Sequence, residues 1–168
     1  MLLGFNLVLV ATSYLVINLP FSPVPITGQT FGVLLIAMAL GRVRGMAVVL
    51  AYILEGAMGL PVFAGGRAGL PVLLGPTGGY LIGFAAAAWV IGSLADRGWD
   101  RKYFSSLAAM LIGTGIIFTC GLAQLSLFVP INGLLVTGLY PFLPGAAIKI
   151  ALASVLLPSV WKFIGRSK

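Results

Sequence analysis

Two ionisable side chains, those of Glu55 and Lys149, lie within apolar runs that are long enough to be membrane helices. A charge there costs roughly 2.5–3.5 kcal/mol on insertion scales, and such side chains usually face a cavity or one another. Glu55 lies about 15 Å along a helix from Gly45, and Lys149 follows the segment YPFLPG (140–145) by about one turn. Both are therefore predicted in the outer half of the bilayer. Lys149 could instead extend to the interface, and Glu55 could pair with it structurally.

Other polar groups are predicted at the same depth. Arg67, Tyr80, Thr27 and Gln29 all fall near the ends of apolar runs on that side of the membrane. Polar groups that converge in an apolar cavity are the expected form of a small-molecule site. Tyr80 could alternatively belong to a belt of interfacial aromatic side chains.

The composition excludes most catalytic and metal chemistry. The chain has no histidine and three acids, of which Asp96 and Asp100 flank a basic cluster. Its one cysteine, Cys120, lies in an apolar run, where we expect it to pack rather than react. It contains no GxxxxGK[ST], GxSxG or HExxH motif. We therefore predict that the protein is no enzyme and holds no cofactor or metal. Any concentrative transport by such a chain would have to take its energy from another chain or an ion gradient.

The elements that must position these side chains are membrane helices. Hydrophobic residues make up 60% of the 168 residues and charged residues 8%, with a mean hydropathy of +1.13. Soluble domains carry about a quarter charged residues, so this chain lacks the polar surface to cover a soluble core. Residues 1–41, 68–95 and 103–148 carry no charge at all. These runs predict an integral membrane protein, and a secretory signal is not expected, because residues 1–19 lack a basic n-region and the apolar pattern continues beyond them.

Proline, glycine and charge divide the chain into six predicted spans within one transmembrane domain, residues 1–168. The spans lie near 2–19, 26–41, 45–59, 78–95, 104–125 and 138–163. The second and third look short for a full crossing. The predicted fold class is thus all-α, a polytopic membrane protein of six transmembrane helices.

The basic residues predict the orientation. Eight of them fall on one side of these spans: Arg42, Arg44, Arg97, Arg101, Lys102, Lys162, Arg166 and Lys168. Only Arg67 falls on the other side. The positive-inside rule then places both termini in the cytoplasm. The net charge of +7 is explained by this bias and by contact with anionic membrane lipid, so no nucleic acid is expected.

The segment 59–80, GLPVFAGGRAGLPVLLGPTGGY, falls on the external side. It contains seven glycines and three prolines, too many for a continuous helix, yet it is too apolar for an ordinary solvent-exposed loop. Irregular backbone at membrane depth is tolerated where it is buried in protein or lines a cavity. We therefore predict that this segment folds down as the lid or wall of a pocket. The alternative is a glycine-rich packing loop with no ligand.

Four segments carry a resemblance to a known family. PVPITGQT (23–30), GLPVFAGG (59–66), LLGPTGGYLIGF (73–84) and PFLPGAAIK (141–149) occur in that order. The chain resembles the BioY family over nearly its whole length, GPTGGY after GLPVFAGG being the strongest match. BioY proteins are the biotin-binding S components of energy-coupling factor (ECF) vitamin transporters. The resemblance implies an S-component-like fold of six helices, with a biotin pocket near the external face and biotin as a transported ligand rather than a cofactor.

One position departs from the family pattern. The pattern in the last span is PFLPGDxxK, with Asp and Lys on one helical face. Lys149 matches, but Ala146 stands where the family has Asp. A carboxylate that could accept from the ureido N–H groups of biotin is missing there, and we hypothesise that Glu55 replaces it.

The resemblance and the chemistry of biotin together imply a set of binding residues. The set comprises Lys149, Tyr80, Glu55, Arg67, Gln29, Phe63 and Gly79. Phe63, Tyr80 and close-packed glycines such as Gly79 would form an apolar slot for the fused rings. The ureido group needs a donor and acceptors, and the valerate carboxylate needs a cation, which Arg67 or Lys149 could supply.

The resemblance also implies partners. ECF S components dock on a transmembrane coupling protein through small residues on the first helix, typically AxxxA, and two ATPase subunits drive the complex. Here Ala11 is present, but position 7 is leucine. The chain could therefore dock through another surface or work as a solitary biotin transporter. It could also be an S component for a different vitamin or small carboxylate, or a non-transporting membrane scaffold.

Overall fold

The computed structural model of the chain describes residues 2–163, so Arg166 and Lys168 of the predicted cytoplasmic charge lie outside the described residues. In chain order the elements are α1 (Leu2–Ser13), β1 (Val16–Ile17), β2 (Ile26–Thr27), α2 (Gln29–Ala57), α3 (Leu70–Leu74), α4 (Gly78–Ala95), α5 (Tyr103–Leu125), α6 (Ile131–Gly138) and α7 (Leu143–Phe163). Short 3₁₀ turns at Ala64–Gly66, Trp99–Arg101 and Tyr140–Phe142 join some of them.

The helical run α2 is a hairpin that reverses direction at Gly41. This residue has φ 77° and ψ −177°, a conformation that residues other than glycine rarely adopt. A Cβ on Gly45 would lie 2.8 Å from the Cα of Ala37, whereas residues eight apart in a straight helix are about 12 Å apart. We call the arms α2a (29–40) and α2b (42–57). They correspond to the predicted second and third spans, and at about 18 and 24 Å both are short for a bilayer.

Counting the two arms separately, residues 2–163 form six helices long or apolar enough to be embedded in a membrane: α1, α2a, α2b, α4, α5 and α7. Long apolar helices of this kind indicate a multi-pass membrane protein. At the tip of the hairpin, the Asp96 carboxylate accepts a hydrogen bond of 3.2 Å from the Arg42 backbone N–H. This carboxylate therefore caps the first turn of α2b.

Several helix boundaries differ from the predicted ones. The predicted first span, 2–19, ends early, because α1 stops at Ser13 and Val16–Ile17 pairs antiparallel with Ile26–Thr27. The prolines between these two strands cannot continue a helix. The second span consequently begins at Gln29, and the third ends at Ala57 rather than at residue 59. The fifth begins at Tyr103, one residue before its predicted start.

The predicted start of the sixth span, residue 138, was also too early. A separate short helix α6, a 3₁₀ turn containing Pro141 and only then α7, from Leu143, occupy this region. The short helices α3 and α6 were not predicted, because runs of five and eight residues leave too little periodicity to detect. The fourth span, by contrast, coincides with Gly78–Ala95.

The core lies around α4, which packs between α2 and α5. Small residues allow its backbone to come close to both neighbours. A Cβ on Gly92 would lie 2.5 Å from the Cα of Arg42, and one on Gly83 would lie 2.9 Å from the Cα of Ile117. Ala87 and Ala88 between them are fully buried. Such close van der Waals contact is what drives helix association inside a bilayer, where burial of apolar surface from water contributes little.

Candidate substrate-binding cavity

A cavity lies at the end of the bundle opposite the hairpin tip of α2. The space between its walls is about 820 Å³, a figure that includes open solvent at its mouth. The walls come from the β2 region, α2a, the 59–77 segment, α4, α5 and α7. The lining residues are Val24, Pro25, Ile26, Thr27, Gln29, Thr30, Leu34, Phe63, Ala64, Arg67, Val72, Thr77, Tyr80, Leu81, Phe84, Thr114, Ile117, Phe118, Phe142, Ala146 and Lys149.

The segment that is irregular in sequence forms one wall of this cavity. Its backbone groups are satisfied by protein rather than by lipid, as membrane depth requires. The Ser13 hydroxyl donates to the Val62 carbonyl at 2.7 Å, and the Gly69 N–H donates to the Gly56 carbonyl at 2.7 Å. The Tyr14 hydroxyl donates to the Pro61 carbonyl. The segment is therefore fastened to the end of α1 and to α2b.

Aromatic side chains make most of the cavity apolar. The ring of Phe142 lies 6.4 Å from that of Tyr80 and 6.3 Å from that of Phe118, centroid to centroid. Phe63, which is fully buried, contacts the Tyr52 ring edge-on at 5.7 Å. Tilted and edge-on pairs at these distances are favourable. The slot that these rings line suits a flat or fused-ring ligand.

Lys149 brings a positive charge into this apolar space. Its ammonium donates to the backbone carbonyl of Thr27 and, at 3.0 Å, to the Thr30 hydroxyl. An ammonium has three hydrogens, so one remains to donate to a ligand. Among the described residues that line the cavity, the only other charge is Arg67 and none is acidic. The cavity therefore favours a ligand that carries hydrogen-bond acceptors or a negative charge.

Gln29 lines the cavity but already uses both ends of its amide. Its oxygen accepts a hydrogen bond of 2.9 Å from the Thr27 hydroxyl, and its nitrogen donates to the Tyr52 hydroxyl. The side chain is buried. Gln29 thus links α2a to α2b through its hydrogen bond to Tyr52, and it lines the cavity from within this hydrogen-bond network.

Tyr80 and Arg67 both line the cavity, but Tyr80 is buried and Arg67 is exposed. The Tyr80 hydroxyl donates to the Gly138 carbonyl at 2.7 Å, which ties α4 to α6 and leaves the ring to face the cavity. Arg67 is exposed, and its Nε donates to the Ala64 carbonyl at 3.2 Å. Arg67 therefore places its charge at the mouth of the cavity, where the charge stays hydrated, whereas Lys149 is half-buried.

The structure brings five of the seven predicted site residues to one cavity, and two lie elsewhere. Glu55 does not line the cavity and makes no ion pair with Lys149 among residues 2–163. The inward face of α2b is formed by Val48, Tyr52 and Gly56, and Glu55 is half-buried beside it. The expectation that Glu55 and Lys149 enclose one chamber together is therefore corrected.

Gly79 is the second residue outside the cavity. It is buried against α5, where an added Cβ would lie 2.4 Å from the Cys120 carbonyl oxygen and 2.7 Å from the Gln124 Cβ. Its role is to let α4 approach α5, and it affects the cavity only through that contact.

Several lining residues were missed from the sequence. The hydroxyls of Thr30, Thr77 and Thr114 and the ring of Phe118 reach the cavity. Thr30 could have been found, because it directly follows Gln29 in PVPITGQT. Thr114 and Phe118 lie four residues apart, on one face of α5. Their role could not be predicted from sequence, since Thr and Phe are ordinary residues of a membrane helix.

Comparison with known proteins gives a consistent result. The family model described as "BioY family" matches residues 1–166. A protein of Thermotoga maritima named "Biotin transporter BioY" is 43% identical over 141 residues, 83% of this chain and 82% of that protein. A protein of Rhizobium etli with the same name is 37% identical over 151 residues, 83% of this chain and 79% of the relative.

A solved structure agrees with the fold. The crystal structure at 2.1 Å of "the S-component for biotin from an ECF-type ABC transporter" has a TM-score of 0.85 with this chain. The match is 28% identical in sequence and covers 95% of this chain and 87% of that one. The helix arrangement is therefore shared over almost the full length of both chains.

Proposed function

The chain belongs to the BioY family, and we propose that it is the biotin-binding S component of an ECF-type importer. The observation that carries this proposal is the cavity itself. It is lined by aromatic rings and holds one half-buried cation, Lys149, which makes two hydrogen bonds to protein and has a third hydrogen left for a ligand. Relatives named as biotin transporters cover most of the chain, and the protein transports its ligand without chemical change.

The cavity suggests how biotin is oriented. The fused rings fit the depth of the slot, where the ureido oxygen can accept from the Lys149 ammonium. The valerate chain then extends toward the mouth, where its carboxylate lies near Arg67. A carboxylate at the mouth keeps part of its hydration, which costs less than full burial. This orientation gives each charged group on the protein one partner on the ligand.

We propose that both termini are cytoplasmic and that the cavity opens outward. In support, the hairpin tip with Arg42 and Arg44 lies at the end of the bundle opposite the cavity, and so does the turn with Arg101 and Lys102. At the cavity end of residues 2–163 the basic residues are Arg67, in the loop segment, and Lys149, which lies inside helix α7 and so does not count as a loop charge. Cytoplasmic loops carry the excess of Lys and Arg. An outward cavity is also what an importer needs to collect its substrate.

Partner subunits are part of the same proposal. The protein relies on a transmembrane coupling protein and two ATPase subunits for energy, because its own sequence contains no phosphate-binding P-loop. No metal-binding cluster of three or more His, Cys, Asp or Glu occurs in residues 2–163. Surrounding lipid covers the apolar outer face, where side chains such as Leu3, Leu111 and Phe104 are exposed.

The direct test is ligand-dependent stability of the purified chain in detergent. A ligand that binds only the folded state stabilises it by mass action. We expect biotin at about 100 times its Kd to add about 2.7 kcal/mol, seen as a higher midpoint of thermal unfolding. Thiamin and riboflavin should give no shift. Because Ala146 replaces the family aspartate, a shift with another small carboxylate and none with biotin would favour a different vitamin.

A further inference from the structure

We propose that Gln124, a residue of α5 that does not line the cavity, fixes one cavity wall and thereby sets how long the ligand stays bound. The wall concerned, residues 70–77, consists of α3 and the turn that follows it, and we call it the outer wall. The inference rests on the proposed function, since it concerns the same site. Gln124 is a positioning residue, because its side chain acts through the backbone of the wall.

The geometry of the Gln124 amide is specific. Its nitrogen donates two hydrogen bonds, one to the Leu73 carbonyl at 2.8 Å and one to the Gly75 carbonyl at 2.8 Å. A primary amide nitrogen has two hydrogens, so both are used. The two carbonyls belong to the last turn of α3 and the residue after it, where a helix leaves carbonyls without partners. One side chain thus satisfies two backbone groups of the outer wall.

These bonds hold the wall at its middle. The outer wall contributes Val72 and Thr77 to the cavity, and the two held carbonyls lie between them in sequence. A five-residue helix is too short to be stable alone. The side-chain bond within the wall, from the Thr77 hydroxyl to the Val72 carbonyl, is long at 3.4 Å. The ties from α1 reach only Pro61 and Val62, at the other end of the segment.

Neighbouring glycines make room for this arrangement. An added Cβ on Gly78 would collide first with the Leu73 carbonyl of the outer wall and would also lie 2.7 Å from the Gln124 Nε2. One on Gly79 would collide first with the Cys120 carbonyl and would also lie 2.7 Å from the Gln124 Cβ. A side chain at either position would therefore disturb the contact between Gln124 and the wall. The pair of glycines in GPTGGY thus has a physical explanation that does not involve touching the ligand.

The consequence is kinetic. In this inference the outer wall narrows the path from the cavity to its mouth, so that a ligand leaves when the wall moves aside and both bonds from Gln124 break. Loss of two neutral hydrogen bonds should shift the equilibrium between the held and the displaced wall by about ten-fold or more toward the displaced wall. We expect their loss to fall mainly on the dissociation rate, since affinity changes within one interface are mostly changes in koff.

The experiment compares wild type with Gln124→Leu and with the isosteric Gln124→Glu, which keeps the size but removes both donors. Biotin association and dissociation rates are measured on the full-length protein in detergent. We expect about ten-fold faster dissociation in both variants, with association changed less than about three-fold. Unchanged dissociation rates in both variants would overturn the inference.

The matched control is Gly92→Ala, which lies in α4 at the opposite end of the bundle and disturbs its contact with Arg42. It should lower the thermal midpoint without changing biotin dissociation. If Gly92→Ala speeds dissociation as much as the Gln124 variants do, general loosening accounts for the effect and the specific role of Gln124 fails.

A second readout needs no ligand. Trypsin cuts after Arg67, which is exposed in the same segment, and cleavage at the exposed Arg97 serves as an internal reference. The Gln124 variants should be cut faster at Arg67 and equally fast at Arg97; equal rates at both sites would count against the inference. If wild type binds no biotin, the proposed function fails, while this assay still decides whether Gln124 holds the wall.

Discussion

At the scale of single residues, the two cations of the cavity differ in depth, and this assigns them different parts of the ligand. Lys149 is held by Thr27 and Thr30 deep in the site, whereas Arg67 is exposed at the mouth. A group that meets the carboxylate should distinguish biotin from its uncharged amide. A group that meets the ureido ring should not.

We therefore predict opposite patterns for two substitutions. Arg67→Gln should weaken biotin binding about ten-fold and leave biotinamide unchanged, because only the acid loses an ion pair. Lys149→Met should weaken both ligands by about 10- to 100-fold, the range for hydrogen bonds to charged groups. Isothermal titration of both ligands against both variants measures this. If Lys149→Met, rather than Arg67→Gln, weakens binding of biotin but not of biotinamide, then Lys149 meets the carboxylate and the proposed orientation of biotin is wrong.

Ala146 predicts a gain rather than a loss. It lines the cavity one turn before Lys149, where the family pattern has aspartate. Ala146→Asp would place an acceptor for the ureido N–H groups beside the cation that compensates its charge. We expect biotin affinity to rise by about ten-fold, as for one added charge-assisted bond.

The matched control for this substitution is Glu55→Gln. It removes one carboxylate, whereas Ala146→Asp adds one, so each variant changes the net charge by one unit. Because Glu55 does not line the cavity, the same titration should find its biotin affinity equal to that of wild type. A fall in affinity for Glu55→Gln would restore Glu55 as the substitute for the missing aspartate. An unchanged or lower affinity for Ala146→Asp would contradict the gain predicted above.

The residues that could be predicted from sequence were those whose chemistry is costly in a membrane. A lysine in an apolar run is costly unless it faces a cavity, a partner or the interface, so Lys149 could be identified as a candidate from its position alone. Glu55 was subject to the same argument and was placed wrongly, because the argument gives depth but not the rotation of the helix. Thr114 and Phe118 cost nothing in a membrane helix, so only the fold reveals that they line the cavity.

At the scale of elements, the reversal at Gly41 decides whether α2 is one helix or two. A side chain there would be strained at φ 77°, and its Cβ would lie 2.2 Å from Oδ1 of Asp96, the residue whose Oδ2 caps α2b. We predict that Gly41→Ala lowers the free energy of unfolding by about 2–4 kcal/mol, from strain and a displaced cap. Thermal unfolding in detergent measures this.

Gly115→Ala is the control for that change, since an added Cβ at Gly115 meets nothing within 4 Å. Its expected effect is neutral or stabilising by up to about 1 kcal/mol, the helix-propensity gain of alanine over glycine. Equal destabilisation by both substitutions would mean that the geometry at Gly41 has no special importance.

Elements were predictable where their ends carry strong signals. The span 78–95 was located because glycine and charge flank it closely, and α2a and α2b were separated because GRVRG combines charge with glycine. The end of α1 was missed by six residues, since residues 14–19 are apolar except for Asn18 and are compatible with helix or strand. The pairing of β1 with β2 is a long-range choice that local sequence does not encode.

At the scale of the whole molecule, the proposed orientation in the membrane rests on the distribution of charge, and labelling tests it. We replace Cys120 by serine and introduce one cysteine, at exposed Leu60 in the cavity-side segment or at exposed Val43 in the hairpin tip. An impermeant maleimide on intact cells should label Leu60→Cys at once and Val43→Cys only after lysis. The reverse pattern would mean that the cavity opens to the cytoplasm.

The family resemblance predicts that coupling to other subunits uses the outer face of α1. Leu7 and Ala11 are both exposed and, four residues apart, lie on one side of this helix. Small residues allow a partner helix to approach closely, and Leu7 interrupts the small-residue pattern expected for docking. We predict that Leu7→Ala increases the amount of coupling protein that co-purifies with the chain by several-fold.

The control for this last prediction is Leu111→Ala, which trims an equally apolar and exposed side chain on α5 and should leave co-purification unchanged. Uptake of biotin by cells that make the chain alone, and then with an ECF module, gives the functional counterpart. If Leu7→Ala leaves co-purification unchanged and uptake needs no module, α1 is a lipid-facing helix and the chain transports biotin without partners. If Leu7→Ala raises both the co-purification of the coupling protein and the uptake of biotin, the bulky Leu7 side chain limits how tightly this biotin-binding subunit associates with its ATP-driven partners.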